Sequence, residues 1–124
     1  MTIALWCILA ASILPILCAG ISKAGGERVD NAAPRDWMER QGGWRRRMDW
    51  AQRNHQEALP PFAAAVIVAH ITHASQGWAD ALAVAFVLIR LAYTAAYAFD
   101  RPSLRSLVWA VGLACVVGLF AISA

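Results

Sequence analysis

Eight residues carry side chains suited to binding charged or polar groups, and their spacing sorts them into three sets. On a helix, Arg53 and Glu57 form an i,i+4 pair and Asn54 and Glu57 an i,i+3 pair, so the three are predicted to sit close on one face. Arg90, Tyr93 and Tyr97 recur at i, i+3 and i+7 and share one helical stripe. Arg105 and Ser106 open an apolar run, where the N–H groups of a helix start offer a partial positive field to an anionic ligand group. Arginine suits bidentate capture of carboxylates, a glutamate suits an ammonium, and phenols donate O–H groups. A zwitterionic peptide with two carboxylates and one amine fits that inventory.

These groups lie in costly places. Arg90 is the one cation inside an apolar run, and a charged residue in mid-membrane costs about 2.5–3.5 kcal/mol on insertion scales. Such groups face a partner or a wet cavity rather than lipid. Glu57 is the carboxylate expected at comparable depth, so a Glu57–Arg90 ion pair pinning two helices together is the structural alternative to a ligand site.

The chain that must position them has 124 residues, 60% of them hydrophobic and 15% charged, with mean hydropathy +0.50. That is one integral membrane domain, residues 1–124, rather than a soluble one. Apolar runs predict four membrane helices at about 2–21, 50–74, 79–99 and 104–123, with a polar loop over 22–48. No Lys or Arg precedes the first run, which reads as a retained anchor rather than a signal peptide. Gly25-Gly26 and Gly42-Gly43 punctuate the loop, and Pro34 discourages a long helix through its middle. The second run is strongly apolar only from Ala58 to Ala74, so its helix is expected to begin near Asp49 and to kink at Pro60-Pro61. Pro102 is placed to begin the fourth helix.

Of the 11 Lys and Arg residues, eight fall between Lys23 and Arg53, and Arg101 and Arg105 form a second group. Putting the loops after the first and third helices on the same side places all but Arg90 there, and the short connection Thr72–Trp78 has none. The positive-inside rule then puts both termini on the non-cytoplasmic side. Arg45, Arg46 and Arg47 read as a cationic anchor at the headgroups, with Trp37 and Trp44 as interfacial rings. A basic loop flanked by membrane segments leaves no separate nucleic-acid-binding domain. Cys7, Cys18 and Cys115 lack metal-ligand spacing and read as small apolar residues. His70 and His73 read as interfacial, and no metal site is expected.

The chain resembles the MAPEG family, the membrane-associated proteins in eicosanoid and glutathione metabolism. The resemblance rests on R-N-x-x-E with Pro61-Phe62 (Arg53, Asn54, Glu57), on R-x-x-Y-x-x-x-Y (Arg90, Tyr93, Tyr97), and on Arg105-Ser106, at the expected helix positions. It implies an all-α membrane protein, a four-transmembrane-helix bundle assembling as a homotrimer, with glutathione as co-substrate between neighbouring subunits at the cytoplasmic side. It also implies a glutathione transferase or peroxidase acting on lipophilic electrophiles in the membrane. Arg53, Asn54, Glu57, Arg90, Tyr93 and Tyr97 match residues that hold glutathione, and Arg105 and Ser106 match residues implicated in thiolate activation. A neighbouring cation lowers a thiol pKa, so a guanidinium is sound chemistry for that task. The first loop looks most like the small bacterial members, which implies a bacterial inner membrane. Trp50 stands where well-studied eukaryotic members carry an Arg, and Arg46 or Arg47 is the candidate substitute one turn earlier.

Two other classes fit the same composition. In one, the polar groups are interhelical contacts of a non-catalytic trimer. In the other, the chain is a small transporter or channel subunit, which the absence of an internal repeat disfavours.

Overall fold

The computed structural model describes residues 1–25 and 27–124; Gly26, part of the first glycine pair, lies outside them. The described residues form five helices and no strand: α1 (Ile3–Lys23), α2 (Pro34–Glu39), α3 (Gly43–Ile71), α4 (Gln76–Ala98) and α5 (Pro102–Ala121). Three of them, α1, α4 and α5, are long and apolar enough to cross a membrane. α3 is the longest, at 29 residues, but its first half is too polar to meet that description.

The polar loop is shorter than its composition suggests. Pro34 opens the one-and-a-half-turn α2, its fixed φ suiting a first helical turn. α3 starts at Gly43, ahead of the expected beginning near Asp49, and so takes in Arg45–Arg47. The reason is local: after the glycine pair no proline or turn residue interrupts Trp44–Met48, and Arg and Met are good helix formers whether or not lipid surrounds them. Hydropathy marks where a helix enters lipid, which is not where it begins. α3 then continues as helix through Pro60 and Pro61.

The tight ends have identifiable causes. His73 (φ 54°) and Asp100 (φ 53°) adopt the left-handed conformation just past α3 and α4. Ala74 N donates to Ala69 O and Arg101 N to Ala96 O, each at 2.9 Å, the six-to-one bond of a Schellman cap. His73 is thus an exposed cap residue. At the same end of the molecule as His73, Ala4 N in the first turn of α1 donates to Asp80 Oδ1 (2.7 Å), which also accepts from Gln76 Nε2 (2.8 Å). His70 Nδ1 donates to Val66 O, and its Nε2 lies 2.8 Å from Thr2 Oγ1.

α3 and α4 pack against each other and each also contacts both α1 and α5, which do not contact one another. Buried alanines at 4, 11, 65, 69, 79 and 83 let the backbones approach closely, as membrane helices require. Phe62 and Phe86 stack between α3 and α4 at 4.0 Å. All three cysteines are buried. Ile3, Trp6, Leu9, Ile16 and Leu17 on α1, with Leu107, Val111, Val117 and Phe120 on α5, leave an exposed apolar exterior that suits lipid.

The three consecutive arginines each reach a different helix end. Arg45 Nη2 donates to Ala24 O (3.4 Å) past α1, Arg46 Nη1 to Met38 O (3.2 Å) in α2, and Arg47 Nε to Tyr97 O (2.9 Å) in α4. The last carbonyls of a helix have no intrahelical partner, and cations complement their negative dipole end. The cluster expected to be a headgroup anchor therefore also ties three helix C-termini together.

Candidate functional site

Alternation of buried and exposed residues along α3 sets the site. Met48, Ala51, His55 and Phe62 form its inward stripe, so Asn54 and Glu57 flank one side of that stripe while Arg53 turns to the other. Arg90 comes inward from α4 on the stripe shared with Phe86, Tyr93 and Tyr97.

Arg90 is 3% exposed and makes no ion pair among the described residues. Its Nη2 donates to Asn54 Oδ1 (2.9 Å), and both Nε and Nη2 lie within 3.0 Å of His55 Nδ1. The expected Glu57–Arg90 pair is therefore not formed. Glu57 is exposed at the edge of the same cavity and touches Asn54 Nδ2 at 3.5 Å. Two neutral acceptors, Asn54 and His55, take the bonds of Nε and Nη2, leaving Nη1 without a partner and the charge without a counter-ion among the described residues.

The predicted triplet is also split. Arg53 Nε lies 3.0 Å from Asp49 Oδ2, one turn back, with its side chain half exposed. Helical side chains lean toward the N-terminus, and an acid preceding a base by four residues is the favoured order, which explains why Arg53 meets Asp49 rather than Glu57. Arg53 and Asp49 line a polar cleft between α2 and α3 together with Arg35 and Gln56, apart from Asn54 and Glu57.

Asn54, Glu57 and Arg90 form the polar end of a cavity of about 190 Å3 among α3, α4 and α5. Ala58, Pro61, Phe86, Trp109, Leu113 and Val116 make its apolar remainder. Tyr93 and Tyr97 are buried beside it in a ladder of rings and cations. Arg90 Cζ stands 4.3 Å from the Tyr93 ring centre, the two tyrosine rings meet edge to face at 5.2 Å, and Arg105 Cζ stands 4.7 Å from the Tyr97 ring centre. Both guanidiniums thus gain from the negative faces of the rings. Arg105 is joined to the site through Tyr97 and does not line the Arg90 cavity. Ser106 is exposed, and its hydroxyl donates to Pro102 O (3.2 Å) on its own helix.

Neither candidate substitute for the missing arginine is free. Arg47 is held by Tyr97 O and Ala98 O, and Arg46 donates to Met38 O and lies over the Trp50 ring at 5.7 Å. Among the described residues no group of three His, Cys, Asp or Glu side chains converges as metal ligands would. Sequence reasoning missed His55, buried at 3% exposure, and its partner Thr94, 2.8 Å away. The signal was present in the phase of Met48, Ala51, His55 and Phe62, which puts His55 on the inward stripe.

An all-helical chain with membrane-length apolar helices, a buried uncompensated cation and an adjoining half-apolar cavity defines an integral membrane protein with a polar site inside its helices. The sequence model of the MAPEG family matches residues 3–124, essentially the whole chain, and the protein belongs to that family. No curated protein and no solved structure matches it.

Proposed function

We propose that this MAPEG-family protein binds glutathione, or a similar thiol peptide, and transfers or oxidises its sulfur at the expense of a lipophilic electrophile. The observation that carries the reading is Arg90. Among the described residues its charge is buried without a carboxylate partner, and no hydrogen bond uses Nη1. A free carboxylate, Glu57, lines the same cavity. A cation and an anion offered separately suit a ligand that carries both charges.

Arg90 and Asn54 would take a ligand carboxylate, Glu57 its ammonium, and Tyr93 and Tyr97 would orient the peptide and Arg90. Arg105, the outer cation of the tyrosine ladder, would stabilise the thiolate, with Ser106 beside it on α5. In conjugation the thiol proton leaves to water, the sulfur lone pair forms a bond to electrophilic carbon, and the displaced electron pair leaves with the departing group or moves onto the acceptor. In the peroxidase variant two thiols become a disulfide while a hydroperoxide becomes an alcohol and water. The apolar wall from Pro61 to Val116 would receive the electrophile from the membrane. No metal takes part in this scheme.

A cavity of about 190 Å3 is smaller than the roughly 300 Å3 at which small-molecule sites begin. The rest of the peptide would lie against a neighbouring copy, which supports a homotrimer of four-transmembrane-helix bundles with Arg53 on the outward face of α3. Charge asymmetry supports a bacterial inner-membrane orientation with the site near the cytoplasmic side and both termini opposite.

A non-catalytic trimer is the second reading, favoured by the bonds Arg90 already makes to Asn54 and His55. Thiol transfer to a generic electrophile by the purified protein, with Arg105→Ala alongside, tests the first. Turnover lost in the variant supports it; equal rates with and without Arg105 would remove Arg105 from the mechanism.

A further inference from the structure

We infer that His55 is the positioning residue of the cavity, holding Arg90 so that its Nη1 edge faces the ligand space, with Thr94 fixing the imidazole for that task. The inference rests on the reading of the Arg90 cavity as an anion site.

The bonding pattern fixes the hydrogens. His55 Nδ1 faces two donors, Arg90 Nε at 3.0 Å and Nη2 at 2.9 Å, so it acts as the acceptor. The ring hydrogen then belongs on Nε2, which donates to Thr94 Oγ1 at 2.8 Å. The Thr94 hydroxyl in turn donates to Arg90 O at 3.1 Å. A closed circuit results, running from the Arg90 side chain through His55 and Thr94 back to the Arg90 main chain.

A guanidinium is planar, so its orientation is set once two of its nitrogens are held. His55 and Asn54 hold Nε and Nη2, and the two N–H groups of Nη1 are left unbonded. Arg90 lines the cavity, which gives those donors a ligand to meet. The choice of acceptor matters as much as the geometry. A carboxylate in place of the imidazole would hold Arg90 and neutralise it; an imidazole accepting through Nδ1 holds it and leaves the charge for an incoming anion. Tyr93 supports both partners, with Arg90 over its face and His55 meeting its ring edge to face at 6.2 Å.

The test is the nitrogen spectrum of the full chain, labelled with 15N-arginine, in lipid nanodiscs, with the Arg90 signals assigned by their loss in Arg90→Lys. One guanidinium with slowly exchanging, separately resolved Nε and Nη resonances is expected in the wild type. His55→Leu should average them, and His55→Gln, which restores an acceptor, should return them. Thr94→Val preserves the shape of the site but frees the ring, and should broaden them. Glutathione titrated into the same samples should bind about tenfold more weakly to His55→Leu, as loss of hydrogen bonds to a charged group implies, and within about threefold of wild type to His55→Gln. Arg90 resonances that stay resolved in His55→Leu, or in Thr94→Val should His55→Leu not fold, would overturn the positioning role. If the wild type does not bind glutathione, the proposed function falls, while the Arg90 spectrum still decides the role of His55.

Discussion

Glu57 and Arg90 line one cavity without pairing: the arginine donates to Asn54 and His55, and the glutamate stays exposed at the edge. The two charges are held apart by their other partners. A formed ion pair would have stabilised the helices and closed the site. Under the proposed function, the two charges would each meet the opposite charge of a zwitterionic ligand.

Removing the Glu57 charge should therefore cost little stability. Glu57→Gln is expected to stay within about 0.5 kcal/mol of wild type in thermal or chemical unfolding, the range for exposed substitutions without buried partners. Affinity for glutathione, measured by titration, should fall as the ammonium loses its counter-charge. A large stability loss with unchanged affinity would favour the non-catalytic reading.

Truncating Arg90, by contrast, should cost stability. Arg90→Ala strands Asn54 Oδ1 and His55 Nδ1 as acceptors, at about 1–3 kcal/mol for each buried group left unsatisfied. Unfolding measured in one detergent or lipid system should show that loss, because the partners are inside the chain.

The all-helical membrane character and most helix positions were legible in the sequence because hydropathy is a one-dimensional signal, and it also brought Asn54, Glu57 and Arg90 of the candidate site to one level. The four long helices follow from the apolar runs and the start of α5 from Pro102, whereas α2 was not expected, because Pro34 in a polar loop reads as a helix breaker until its place in a first turn is seen. The place of Arg53 was not legible, because Asp49 and Glu57 stand equally one turn away, and side-chain lean rather than spacing chose Asp49. Spacing also groups Arg45, Arg46 and Arg47 together, yet successive helical residues point about a quarter-turn apart, so each reaches a different carbonyl. His55 was hidden by its neighbours: a motif read as R-N-x-x-E treats it as a variable position, and only the inward phase of α3 singles it out.

The arginine caps should be separable from the site. Arg47→Ala removes the donors to Tyr97 O and Ala98 O and should destabilise the chain by about 1 kcal/mol. Hydrogen exchange should quicken first at the amides of Asp100 and Arg101, where α4 ends. Uniform exchange across the molecule would contradict a local capping role.

Asp80 holds the start of α1 from another helix, and its carboxylate oxygen does the work of an N-cap. Asp80→Ala should cost about 1 kcal/mol, as N-cap truncations do, and Asp80→Asn, which keeps an acceptor, should cost less. Thermal unfolding of the two variants side by side checks the order; equal losses would assign the effect to charge rather than to the hydrogen bond.

Calorimetric titration of glutathione into the purified protein in nanodiscs, beside Arg90→Lys, addresses the function most directly. Lysine keeps the charge but cannot reproduce a planar fork held at two nitrogens. Saturable binding to the wild type, weakened about tenfold or more by that substitution, is expected from an anion site built on Arg90. No saturable binding, or equal affinity in both proteins, would contradict it.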